Sequence, residues 1–175
     1  MGGNRAKPSP VVRLFSMLVP KSTHPATVHF NGESTEVPFV DGEAFDPMTI
    51  ARPVIEDVET EEETVEVPLI KIAHGRSGDK GNDSNIGILA RKPEYYSIIR
   101  RELTAEKVHE YFDYLMDGDV TRYDLPGIHG VNFLLKESLG GGGIASLRND
   151  PQAKAYANQL LDIPIAVPKS VADAL

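Results

Sequence analysis

The sequence predicts an α+β fold, a few β-strands covered on one face by helices, preceded by an arm that contains a β-hairpin. Three observations carry the prediction. Short β-branched runs are interleaved with amphipathic helical segments, glycine and asparagine turn signals separate them, and a chain of 175 residues with 41% hydrophobic content builds one sizeable core rather than two.

Taken in order, residues 1 to 10 hold a glycine pair, two prolines and few apolar groups, which predicts a disordered start. Ala26 to Phe30 and Glu36 to Val40 have strand composition on either side of Asn31-Gly32, the strongest short hairpin signal. Asp41 to Glu66 keeps no helical or strand period and reads as an acidic linker, so residues 1–63 form an arm and linker, 64–168 the domain and 169–175 a tail. Val67 to Ala73 and Ile86 to Ala90 read as buried strands joined by a charged glycine loop.

Pro93 suits a first helical turn, with Tyr95, Ile98 and Ile99 on one face. Thr104 caps a second helix whose apolar face is Val108, Tyr111, Phe112 and Leu115, ended by Gly118. Val120 to Leu125 alternates as a strand with Tyr123 and Leu125 turned inward. Val131 to Leu139 fits strand and helix periods, with helix preferred. Ile144 to Arg148 is a further strand candidate, Asp150-Pro151 starts a last helix carrying Ala153, Tyr156, Ala157 and Leu160, and Ile163 to Val167 closes the sheet. This order is nearest to a ferredoxin-like split βαβ sandwich, with a small three-layer α/β fold as the alternative.

Composition narrows the chemistry. There is no cysteine, which excludes disulfides and thiolate catalysis, and a reducing cytoplasmic compartment is expected. No apolar run is long enough to span a bilayer, so no membrane partner is expected. The net charge of -8 argues against nucleic acid. Seven of the acids lie between Arg52 and Lys71 (Glu56, Asp57, Glu59, Glu61, Glu62, Glu63 and Glu66), so the acidity is local. The five histidines show no helical metal spacing, and no metal or cofactor is expected. His74 is either a general acid or base beside Asp79 and Asp83 or a strand-end residue bonded to backbone.

The loop from Gly75 to Asn85 contains no apolar residue. It is either a solvated turn or a site in which Gly75, Gly78 and Gly81 let backbone N–H groups converge on an anion, with Arg76 and Lys80 adding charge. It lacks the Gly-Lys-Ser/Thr order of a phosphate-binding P-loop, the alternate acids of a calcium loop and the following helix of a dinucleotide fingerprint. Gly140 to Gly143 is a second candidate, either a close-approach wall or slack after a helix. The resulting candidates are Asp79 and Lys80 for proton handling, and Arg76, Ser77, Gly78, Gly81, Asn82, Asn85, Asn132, Gly140, Gly141, Gly142 and Gly143 for ligand binding.

Arg76-Ser77-Gly78-Asp79-Lys80-Gly81-Asn82, Asn85-Ile86-Gly87, Leu103-Thr104-Ala105-Glu106, Asn132-Phe133, and Leu139 to Gly143 with Ser146-Leu147-Arg148 form an ordered pattern. It resembles the C-terminal domain of the acyclic terpene utilisation A (AtuA) family, over about Val67 to Ile165, a domain that also occurs as a small stand-alone protein. The resemblance implies a ferredoxin-like fold and a place in the breakdown of terpene-derived or branched acyl-CoA compounds. It also implies that residues 11–40 correspond to the segment joining this domain to a larger N-terminal domain. The expected partners are an acyl-CoA or another small carboxylate or thioester, that larger domain, and a second copy of the chain. The competing expectation is a non-catalytic module that docks the larger domain or self-associates.

Overall fold

A computed structural model describes residues 10, 12, 15–51 and 62–175, and contacts divide the chain into two units. The smaller unit is built on the hairpin of β1 (Ala26–Phe30) and β2 (Glu33–Val37). Phe30 pairs with Glu33, leaving Asn31 and Gly32 as a two-residue turn with φ of 48° and 84°. Two positive φ values are the type I′ geometry, which asparagine and glycine adopt with least strain. The returning strand starts at Glu33, three residues ahead of the sequence expectation, because so tight a turn leaves no loop to spend.

The larger unit contains β3 (Thr64–Pro68), β4 (Ala73–Lys80), β5 (Asp83–Ala90), α1 (Tyr96–Glu102), α2 (Ala105–Phe112), β6 (Val120–Leu125), β7 (Gly130–Leu135), α3 (Tyr156–Leu160), β8 (Pro164–Pro168) and α4 (Lys169–Ala172). The main sheet has the order β4-β5-β7-β6 and is antiparallel at every pairing. Since β5 and β6 both oppose β7, they run in the same direction with β7 inserted between them and α1 and α2 in the crossover. That is a split βαβ unit. The hairpin partner β4 takes the other side of β5, and β8 pairs instead with β3 in a separate two-stranded sheet. The architecture is α+β as expected, while Ile163 to Val167 does not close the main sheet.

The core lies between the sheet and the helices. Ile86 and Ile88 of β5, Val131, Phe133 and Leu135 of β7, Ile99 of α1, Val108 and Phe112 of α2 and Leu160 of α3 are all buried. Thr104 caps α2 by accepting a hydrogen bond from the Lys107 N–H at 3.2 Å, as its position predicts. Asp150 accepts from the N–H groups of Lys154 and Ala155, but regular helix begins only at Tyr156.

Four further sequence expectations are corrected. Val131 to Leu139 is not a helix: its first residues form β7, whose alternate side chains fill the core and whose backbone bonds to strands on both sides. Ile144 to Arg148 forms turns rather than a strand. Tyr123 and Leu125 face outward, because β6 turns Arg122 and Asp124 toward α1: the Arg122 guanidinium donates to the Arg100 and Leu103 carbonyls at the end of α1, and Arg100 pairs with Asp124 at 3.1 Å. The last carbonyls of a helix are the acceptors that most need an outside donor, and Arg122 supplies one. Lastly, Gly75 to Asn85 is not a long loop but most of the β4–β5 hairpin, reversed by Gly81 and Asn82 alone.

Candidate functional site

The β4–β5 register explains how the charged segment is presented. Ser77 pairs with Ile86 and Gly75 with Ile88, so these side chains share the core face, while Arg76, Gly78 and Lys80 share the opposite face with Gly87, Asn85 and Asp83. Ser77 is buried and anchors α3, accepting from the Ala157 N–H at 2.9 Å and donating to the Ala153 carbonyl. It therefore fixes the segment just before α3 against β4. Lys154 belongs to that segment, and its ammonium comes to 3.3 Å from where a Cβ on Gly78 would stand.

The result is a shallow cleft of about 340 Å³ lined by Arg76, Ser77, Gly78, Asp79, Lys80, Asn85, Gly87 and Lys154. Three cations surround a floor made partly of two glycines. The Lys80 ammonium donates to the Asp79 carbonyl at 2.8 Å, and among the described residues no ion pair uses Arg76, Lys80 or Lys154. Asn85 donates to the Asn132 side-chain oxygen at 2.9 Å, which directs its amide along the floor. A larger groove of about 530 Å³ lies in the hairpin unit, walled by Val19, Pro25, Val37 and Phe39, and it brings no comparable set of charges together.

The predicted site residues thus separate into two groups. Arg76, Ser77, Gly78, Asp79, Lys80 and Asn85 line the cleft, with Asn132 behind Asn85. Gly81, Asn82, Gly141 and Gly142 are brought together at the hairpin tip, while Gly140 lies against Arg148 and Gly143 against Pro151 and Asp79. Asn82 accepts from the Gly141 N–H at 2.6 Å, its carbonyl accepts from the Leu139 N–H at 3.0 Å, and a Cβ on Gly142 would stand 3.1 Å from the Gly81 carbonyl oxygen. Gly141 and Gly142 thus pack closely on the turn, and Gly143 stands beside Asp79, where a Cβ would fall 3.8 Å from its Oδ2. Gly75, Gly78 and Gly81 do not form an anion nest. Gly75 is needed because a Cβ there would press on Ile88, Leu161 and Ala157 at 3.2 to 3.3 Å, Gly78 lines the cleft, and Gly81 turns the chain at a φ of 72°. Successive N–H groups of a strand point to opposite edges and do not converge.

Sequence reasoning missed Lys154, since nothing in its neighbourhood signals that α3 will carry it to β4. It also missed the anchoring of the hairpin end. Burial acts to raise the Asp83 carboxyl, but the Lys136 ammonium at 2.8 Å and the Glu137 N–H at 2.9 Å outweigh it and hold the carboxyl below its ordinary value. His74 lies within 3.4 Å of the Arg91 guanidinium, away from the cleft lining.

Fold and site together define a small α+β domain with a cationic cleft at one edge strand. Residues 67–166 match the AtuA ferredoxin-like domain family, more than half of the chain, and the chain belongs to that family. No curated protein and no solved structure matches it. No helix among the described residues is long and apolar enough to cross a membrane.

Proposed function

We propose that this chain is the anion-binding domain or subunit of a protein that processes acyl-CoA compounds of the terpene-derived or branched class, with the ligand's phosphate groups held at the β4 edge. The observation that carries the reading is the convergence of Arg76, Lys80 and Lys154 on the Gly78 and Gly87 floor. Each cation offers charge-assisted hydrogen bonds to a phosphate oxygen, and arginine adds a planar two-donor fork. Glycines at 78 and 87 let a bulky anion reach the sheet backbone without meeting a side chain. Asn85, held by Asn132, supplies a polar contact for a carbonyl or ribose.

In this reading Asp79 and Lys80 handle protons or orient the ligand rather than each other, since Lys80 bonds to the Asp79 carbonyl and not to its carboxylate. Calorimetric titration of coenzyme A into the full chain tests the proposal, comparing wild type with Lys80→Ala and Lys154→Ala. Loss of one charge-assisted contact costs about 1.5–3 kcal/mol, so each variant is expected to bind roughly tenfold or more weakly, with a steep salt dependence. Equal affinity in wild type and both variants removes the cleft from the account.

A further inference from the structure

The register of the main sheet lines up a row of residues across its four strands on the face turned away from the core. Arg76 of β4 pairs with Gly87 of β5, Gly87 with Asn132 of β7, and Asn132 with Tyr123 of β6. Residues paired across adjacent strands share a face, so this row leads from the cleft to the opposite edge of the same surface. Neighbouring strands lie about 4.8 Å apart, which puts about 14 Å between the ends of the row. A second row runs beside it, made of His74, Leu89, Gly130 and Leu125.

The chemistry changes along these rows. At the β4 end Arg76 lines the cleft together with Lys80 and Lys154. On β5 Gly87 carries no side chain, and a Cβ there would stand no closer than 3.7 Å to the Arg76 carbonyl oxygen and 3.8 Å to the Asn132 side-chain oxygen. On β7 Asn132 accepts from Asn85 at 2.9 Å. That bond leaves an N–H donor on Asn132 and a carbonyl acceptor on Asn85, and among the described residues no other bond takes them. Beyond Asn132 the surface turns apolar. Leu89 reaches over Gly130, the partner of Leu125, with its Cδ1 3.2 Å from where a Cβ on that glycine would stand. Leu89, Tyr123 and Leu125 are 40%, 49% and 39% exposed. A strip that is cationic at one edge, amide-bearing in the middle and apolar at the other edge matches an elongated ligand with an anionic head, an amide link and an apolar tail.

We infer that this strip is the tail subsite of the cleft: a ligand held by its phosphates at Arg76, Lys80 and Lys154 crosses Gly87, exchanges amide hydrogen bonds with Asn132 and Asn85, and lays its acyl group on Leu89, Tyr123 and Leu125. The inference rests on the acyl-CoA reading of the cleft and adds the direction in which the ligand lies and the residues that select its acyl group. The cations act only on the head, at β4, and the apolar side chains only on the tail, at β6. Between them the pantetheine arm supplies both the length and the secondary amides, each of which needs one donor and one acceptor. A nucleobase, only one ribose away from its phosphate, falls short of β6.

The test is calorimetric titration of coenzyme A and of isovaleryl-CoA into the full chain as wild type, Leu125→Ser and Lys154→Ala, with a thermal melt of each. Wild type is expected to bind isovaleryl-CoA roughly tenfold more tightly than coenzyme A, because the branched acyl group leaves water. Leu125→Ser is expected to bring that ratio close to one, and Lys154→Ala to weaken both ligands together and keep the ratio. If Leu125→Ser melts early, nuclear Overhauser transfer from the isovaleryl methyls to the Leu89 and Leu125 methyls of the wild type reads the same contact. Equal affinity of wild type for the two ligands, a ratio indifferent to Leu125→Ser, or transfer to Tyr123 from the adenine protons in place of the acyl methyls overturns the inference and leaves the cleft standing. Binding of neither ligand removes the cleft reading and the inference with it.

Discussion

The chain builds two hairpins by the same device and puts them to different uses. Both β1–β2 and β4–β5 reverse in two residues, Asn31-Gly32 in the first and Gly81-Asn82 in the second. The first turn has two positive φ values and the second only one, at Gly81, as the I′ and II′ geometries require. Beyond the turn they diverge. The first hairpin has five residues per strand and no buried side chain, whereas the second has eight per strand and places Ser77, Ser84, Ile86 and Ile88 in the interior. Turn chemistry makes a hairpin, and the packing over its face decides whether its side chains are buried.

The largest effect expected from this difference is at the phenylalanines. Phe133→Ala empties a fully buried position in the central strand and is expected to cost about 3–5 kcal/mol, whereas Phe30→Ala, at an exposed position, stays within about 0.5 kcal/mol. Comparable losses at both positions in denaturant melts would break the contrast. The turn glycines sharpen it at lower energy. Alanine at Gly81 must hold a φ of 72° and is expected to cost about 1–2 kcal/mol of the cooperative transition. Gly32→Ala meets the same strain at 84° but loosens only its own hairpin, leaving the midpoint of the larger unit in place by amide exchange.

The smallest effect is a pH dependence. Asp83 has a depressed carboxyl pKa in the folded state, so its contribution to stability is present above the unfolded value of about 3.9 and is lost as pH falls through the folded value. Asp83→Asn is therefore expected to flatten the acid limb of stability below about pH 5 and to leave the limb above neutrality unchanged. An unaltered acid limb would show that the Lys136 and Glu137 contacts contribute nothing there.

How much of this was legible in the sequence follows the same division between local and distant causes. Asn31-Gly32, the Thr104 cap and the spacing of Val108 and Phe112 are local signals, and each gives its element. The β4 strand and its turn carried no such signal: Gly75, Gly78 and Gly81 with six charged or amide neighbours up to Asn85 look like loop because the bulk that fills the space beside Gly75 comes largely from Ala157 and Leu161, some eighty residues away. Val131 to Leu139 fits both periods, and only pairing of its first residues on both sides by β5 and β6 decides for strand there. The site was legible in residue type and not in shape. Arg76, Lys80 and Asn85 were found by composition, but Lys154 reaches them through the Ser77 anchor of α3, and Gly141 and Gly142 pack on the hairpin tip rather than facing it across a ligand.

An anion on the β4 edge and an anion at the hairpin tip perturb different amides, so chemical shifts report the two places separately. In a titration of coenzyme A into the isotope-labelled full chain, the largest shifts are expected at the N–H groups of Gly78, Asn85 and Gly87, abolished in Arg76→Ala. Shifts confined to Gly140, Gly141, Gly142 and Gly143, or none at all at millimolar ligand, would contradict binding at the β4 edge.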